Sequence, residues 1–106
     1  MIRYINVFIP VLIFTILSIN VSSGKDITVC SECGYKNIKS ALADSEDGDV
    51  IIVKKGYYRE NNIIIDKSVQ ISGEDNPVID LEFNNQGFVI KKDNVIIRGL
   101  EIRNIS

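Results

Sequence analysis

One pattern of β-branched residues comes back at a fixed interval, and that recurrence restricts the possible folds more than anything else in the chain. Val69-Gln70-Ile71-Ser72-Gly73 returns 26 residues later as Val95-Ile96-Ile97-Arg98-Gly99, and Ile63-Ile64-Ile65 returns 25 residues later as Phe88-Val89-Ile90. Intervals of about 20–50 residues belong to solenoids, whose repeats cannot bury an apolar face alone and so stack coil upon coil. Between Asp47 and Asp80 the runs Val50-Ile51-Ile52-Val53, Ile63-Ile64-Ile65, Val69-Gln70-Ile71 and Val78-Ile79 are bounded by Gly, Asp, Asn, Lys or Pro. That is the composition of short strands separated by tight turns.

The spacing predicts an all-β parallel β-helix with three strands per coil. Ile63–Ile65, Val69–Ile71 and Val78–Asp80 make one coil; Phe88–Ile90, Val95–Ile97 and Leu100–Ile102 make the next; Ile27–Val29 and Val50–Val53 share an irregular first coil. Within each run alternate residues point inward, for example Ile63/Ile65, Val69/Ile71, Val95/Ile97 and Leu100/Ile102, which leaves Gln70 and Glu101 outside. Stacking at about 4.8 Å puts Val69 beneath Val95 and Gly73 beneath Gly99. Gly73 ends a strand at a corner and is expected to need φ > 0. Asn62, Asn84, Asn85, Asn94 and Asn104 suit corners, because Asn tolerates the left-handed region and bonds its own main chain; some are candidates for stacked Asn ladders.

Only residues 37 to 44 break the strand pattern. Asn37 is an N-cap candidate, and Ile38, Ala41 and Leu42 have the i, i+3, i+4 spacing of a short amphipathic helix. A helix with one apolar face, placed before the first full coil, serves as the solenoid's amino-terminal cap. No apolar period of 3.6 persists elsewhere, which excludes a helical bundle. An antiparallel sandwich would need two-residue hairpin turns such as Asn-Gly between the strands, and there are none between these runs.

At the start of the chain, Arg3 precedes a run from Ile5 to Val21 without a charged residue, followed by Ser22-Ser23-Gly24. This is the layout of a secretory signal, with cleavage after Val21-Ser22-Ser23. A membrane anchor needs about 20 apolar residues, and Pro10, Thr15, Ser18 and Asn20 dilute the run. Gly24, next to the cleavage site, is expected to tolerate substitution. The chain thus divides into a signal at 1–23, a strand with a C-x-x-C and the capping helix at 24–48, and the first coils at 49–106. Removing 1–23 leaves eleven Lys and Arg against fourteen Asp and Glu, a mildly acidic balance with no electrostatic footprint for nucleic acid. Because a stable solenoid needs about three repeats and a cap at each end, the coils are expected to continue beyond Ser106.

Cys30 and Cys33 form the C-x-x-C, and the chain has no His, no other Cys and only the initiator Met. Three chemistries stay open. A disulfide closing so small a loop would stabilise by about 2 kcal/mol in the chain-entropy model and suits an oxidising compartment. Two thiolates suit a soft metal such as Cu(I), whereas zinc would want four ligands. A thioredoxin-like redox role would gain from a helix beginning just after Cys33, although no βαβ unit surrounds the motif.

Several segments together resemble a known family. Gly48-Asp49-Val50-Ile51-Ile52-Val53, Gly56-Tyr57-Tyr58-Arg59-Glu60, Ile65-Asp66-Lys67-Ser68, Ile71-Ser72-Gly73-Glu74, Val78-Ile79-Asp80 and Val95-Ile96-Ile97-Arg98-Gly99-Leu100-Glu101-Ile102-Arg103-Asn104 look like the first coils of the NosD family. These are right-handed parallel β-helices of the pectin-lyase-like superfamily. The resemblance covers residues 27 to 106. It implies a periplasmic accessory factor, not an enzyme, acting with ABC-type transporter subunits and a copper chaperone in assembling the copper centres of nitrous oxide reductase. Copper is implied by the resemblance alone, and the only soft ligands available for it are Cys30 and Cys33.

Fold does not settle activity, and surface and carbohydrate-acting proteins share much of the same pattern. A polysaccharide lyase or hydrolase would need clustered carboxylates beside a groove, often with Ca²⁺; the outward candidates are Asp66, Asp80, Glu82, Arg98, Glu101 and Arg103. A carbohydrate-binding protein of the cell surface would need exposed aromatics, for which Tyr57, Tyr58 and Phe83 are few.

Overall fold

The computed structural model describes residues 24–84 and 86–105; the predicted signal at 1–23, Asn85, expected at a corner, and Ser106 lie outside them. Along the chain run β1 (Asp26–Val29), α1 (Ile38–Ala43), β2 (Val50–Val53), β3 (Tyr57–Arg59), β4 (Ile63–Ile65), β5 (Gln70–Gly73), β6 (Val78–Asp80), β7 (Phe88–Ile90), β8 (Ile96–Arg98) and β9 (Glu101–Arg103). They form three sheets: a first of order β1-β2-β5-β8, a second of order β3-β6-β9 and a third pairing β4 with β7. Every strand pairing among the described residues is parallel. Strands of three or four residues that turn from one sheet to the next and return one rung higher make a β-solenoid of about three turns.

The predicted register holds in the later coils. Ile71 pairs with Ile97 and Ile63 with Phe88. Two features depart from the expectation. Ile27–Val29 and Val50–Val53 do not share a coil: β1 lies directly beneath β2 in one sheet, with Ile27 opposite Ile51. The strand β3 has no β-branched residue to announce it. It forms because Tyr58 points into the core at 7 % exposure while Tyr57 and Arg59 face out, the period-two alternation of a half-buried strand.

The core is a set of columns. Ile27, Ile51 and Ile71 stack through the first sheet, Tyr58 and Ile79 through the second, and Ile63 and Ile65 head the third, all buried. Each fully buried Ile contributes about 1.5–3 kcal/mol relative to an exposed one. In the last turn the equivalent residues Ile97, Leu100 and Ile102 pack on this core and are half-buried.

Helix α1 packs against β1, β2 and β4 at the level below β4, where the third sheet would otherwise begin. Six residues are too few to hold a helix in water, so neighbouring elements supply its bonds. Asn37 Oδ1 accepts from Ser40 N–H at 2.8 Å, as predicted for an N-cap. The buried Glu60 carboxylate accepts from Ile38 N–H at 2.6 Å and Lys39 N–H at 3.1 Å. At the other end Lys67 Nζ donates to Leu42 O at 2.9 Å. Glu60→Ala would leave two helix N–H groups unpaired and is expected to cost about 1–3 kcal/mol, measurable as a lowered urea midpoint with helix and strand signals lost together.

The corners use left-handed backbone. Asn62, Asn94 and Asn104 have φ of 53°, 61° and 58°, as expected of Asn at such positions. Asn84 does not; its Oδ1 accepts from Gln86 N–H, and at that corner Glu82 and Phe83 take the positive φ. Among the described residues the corner asparagines bond to acids: Asn104 Nδ2 donates to Asp80, and the neighbouring Asn61 Nδ2 donates to Glu82.

The glycine expectations need correcting. Gly99 has the positive φ, at 76°, and Gly73 does not; Gly73 is required because a Cβ there would lie 2.2 Å from Gly99 O in the next rung. Gly24 is equally constrained, since its Cβ would lie 1.7 Å from Gly48 O. Gly73→Ala is therefore expected to force two rungs apart at a cost of about 2–3 kcal/mol. Thermal unfolding followed by circular dichroism would register it as a drop in Tm, and an unchanged Tm would contradict the close approach.

Candidate functional site

The second sheet carries a hydrogen-bonded polar surface. Its outward residues form two columns, Tyr57–Val78–Glu101 and Arg59–Asp80–Arg103, because paired residues of parallel strands share a face. Asp80 sits at the centre and is 6 % exposed. A carboxylate so enclosed needs donors, and it has three: the Tyr57 hydroxyl, Asn104 Nδ2 at 2.7 Å and Glu82 N–H at 2.8 Å. These bonds, the Tyr57 hydroxyl first, hold the Asp80 carboxyl down at about 2, with Arg59 adding a smaller attraction. The same bond pushes the Tyr57 hydroxyl above its ordinary value. Arg103 Nε donates to Glu101 Oε2 at 2.7 Å with both side chains about half exposed, so that pair orders the surface more than it stabilises it.

Of the outward residues picked out by sequence, Asp80, Glu82, Glu101 and Arg103 come together at this sheet and its following corner. Asp66 and Arg98 lie elsewhere. Asp66 follows β4 and lines a cavity of about 420 Å³ with Lys39, Leu42, Ala43, Ile64 and Lys67, and Arg98 ends β8 in the first sheet. Of the three aromatics, Tyr58 is in the core, its hydroxyl donating to Lys54 O at 2.7 Å, while Tyr57 and Phe83 are exposed. Sequence reasoning missed Tyr57 and Asn104 as partners of Asp80. Their separations from it, 23 and 24 residues, are close to one coil, so the repeat interval itself was the available signal.

The chemistry of this face is that of a fixed anion among arginines. Asp80 is ionised at neutral pH and carries no proton to donate, and its oxygens are already engaged. That arrangement suits positioning a polar partner better than general acid catalysis, which works best with a pKa near the operating pH.

Cys30 and Cys33 are joined in a disulfide across a four-residue turn, Cα to Cα 5.0 Å. In this state neither sulfur is a thiolate, and the pair does not fit Cu(I), which binds thiolates. Among the described residues no group of three or more His, Cys, Asp or Glu is arranged to hold a metal ion.

Fold and site together define a parallel β-solenoid with a structured polar face. Compared with protein-family models, with curated proteins and with solved structures, the chain matches none.

Linkage to pH follows from Asp80. Its folded pKa lies below the ordinary 3.8, so its contribution is complete above that value and is lost as pH falls toward about 2. Asp49, held low first by the N–H groups of Lys25 and Glu46, acts in the same direction. Asp80→Asn is expected to flatten the acid limb of a stability-versus-pH curve over that interval, leaving the limb due to Asp49. A curve of unchanged slope would exclude Asp80 as a contributor.

Proposed function

We propose that this chain is an exported accessory protein of the NosD type, a non-enzymatic β-helix that works in the periplasm with ABC-type transporter subunits and a copper chaperone during assembly of the copper centres of nitrous oxide reductase. The single observation behind it is the positional fit of the resembling segments. Gly48-Asp49 leads into β2, Gly56-Tyr57-Tyr58-Arg59-Glu60 is β3 with the helix-capping acid, Ile71-Ser72-Gly73-Glu74 ends β5 at its close approach to Gly99, and Val95 to Asn104 is the last turn. The motif order that carries the family resemblance is therefore also the order of rungs and corners.

A non-enzymatic role is favoured by the state of the polar face. Its central acid is consumed by three internal bonds, and Glu101 is paired with Arg103. Export draws support from the charge-free run ahead of Ser22-Ser23 and from the disulfide. Copper, on this reading, is cargo of the pathway and not a resident group of these residues. The carbohydrate-binding alternative at the cell surface has one observation in its favour: Tyr57 is 53 % exposed beside hydrogen-bonding groups, the combination of ring and polar edge that a sugar face takes.

Deleting the gene in a nitrous-oxide-reducing source is expected to yield nitrous oxide reductase short of copper, measured by metal analysis of the purified enzyme. Full copper loading would overturn the accessory role. Retention of the chain on a polysaccharide column, abolished by Tyr57→Ala, would favour the alternative.

A further inference from the structure

The disulfide loop has features that a purely structural staple does not need. Besides the S–S bond, three hydrogen bonds frame the turn: Cys33 N–H donates to Cys30 O at 3.2 Å, Cys30 N–H donates to Tyr35 O at 3.1 Å, and Lys36 Nζ donates to Cys33 O at 3.0 Å. Tyr35 makes a bridge to Val29 and donates its hydroxyl to Asp44 at 2.8 Å. Opening the bond would thus leave two thiols side by side on a framed loop. Both cysteines are half-buried and the residues around them, Ser31, Glu32 and Gly34, are exposed. Beside the loop lies a cleft of about 110 Å³ between Ser31 and Lys36 on one side and Lys55, Gly56, Tyr57 and Tyr58 on the other.

We infer that Cys30–Cys33 is a thiol–disulfide exchange site that reacts with thiols carrying negative charge, the lysine-flanked cleft receiving the incoming group. The inference is independent of the proposed function. In the first step a partner thiolate attacks one sulfur, the Cys30–Cys33 bond breaks, a mixed disulfide forms and the other cysteine leaves as a thiolate. A second partner thiolate attacks the partner's sulfur in that mixed disulfide and releases the second cysteine thiolate. The partner leaves as its own disulfide. Two electrons pass to the chain, and solvent supplies the protons that the two new thiols take up. Lys36 and Lys55 favour both the anionic attacker and the thiolate that leaves, while Glu32, between the cysteines, opposes them. A cationic thiol shares the help to the leaving thiolate but is repelled by the same lysines, so its net gain is smaller. Because the hydrogen-bonded frame remains, the reverse reaction with a disulfide closes the bond again.

The test uses the oxidised chain without denaturant, glutathione as the anionic thiol and cysteamine as the cationic one. Alkylation and intact mass are expected to find both cysteines free after glutathione treatment, with the far-ultraviolet circular dichroism and the cooperative melt retained, and oxidised glutathione is expected to restore the bond. Lys36→Gln combined with Lys55→Gln should slow glutathione by about threefold more than it slows cysteamine. Thiols that appear only in denaturant, or a β signal lost on reduction, would assign the bond a structural role and overturn the inference. An equal effect of the double variant on the two thiols would overturn the cleft's part in it.

Discussion

Parallel in-register stacking of short strands is the constraint on which every other feature depends. A strand of three or four residues contributes too few bonds to stand alone, and it becomes stable only when its N–H and C=O groups meet the rungs above and below it. Register then has little freedom. A slip of one residue would exchange Ile51, Ile71 and Ile79 for their outward neighbours Ile52, Ser72 and Asp80. The corners must therefore deliver each strand at the correct phase. Left-handed Asn62, Asn94 and Asn104 do so, as does the glycine contact between Gly73 and Gly99, where a side chain would occupy the space of the next rung's backbone.

Buried acids tie successive turns together. Asp49, Glu60 and Asp80 are 3 %, 7 % and 6 % exposed, and burial at that level is tolerable only because each accepts two or more hydrogen bonds. Asp49 holds Lys25 N–H and Glu46 N–H, with the Lys25 ammonium at 3.1 Å. Glu60 holds the start of α1, and Asp80 joins Tyr57 to Asn104 across the second sheet. Most of these links span 22 to 24 residues, close to one coil. These acidic positions are thus architectural, and they speak more clearly about the fold than about an activity.

Function is left to the surfaces that this architecture exposes. On the second sheet the architecture presents Tyr57, Arg59, Glu101 and Arg103 around an anion that is itself locked, giving a face whose geometry is set by the core. At the first turn it presents a framed disulfide beside two lysines. Both surfaces lie on or next to β3, the first strand of the second sheet.

How much of this was legible in the residues follows from range. Alternation of β-branched residues and the return of Val-x-Ile-x-Gly after 26 positions are local patterns, and they determined the parallel coils, the inward columns, the later register and the helix at 37–44. The stacking of β1 under β2 does leave a local trace, since Ile27-Thr28-Val29 returns after 24 residues as Ile51-Ile52-Val53, but the helix between them makes the two runs read as one irregular coil. Local patterns could not reveal β3, whose burial depends on what lies beneath Tyr58. Nor could they say that Gly73 and Gly24 are required by close backbone approach, or that Asp80 is gripped by a tyrosine and an asparagine from neighbouring turns. Those facts exist only once coils are stacked. Local composition determines which segments become strands and corners, and the packing of one turn on the next decides which polar groups are spent inside the structure and which remain outside it to act.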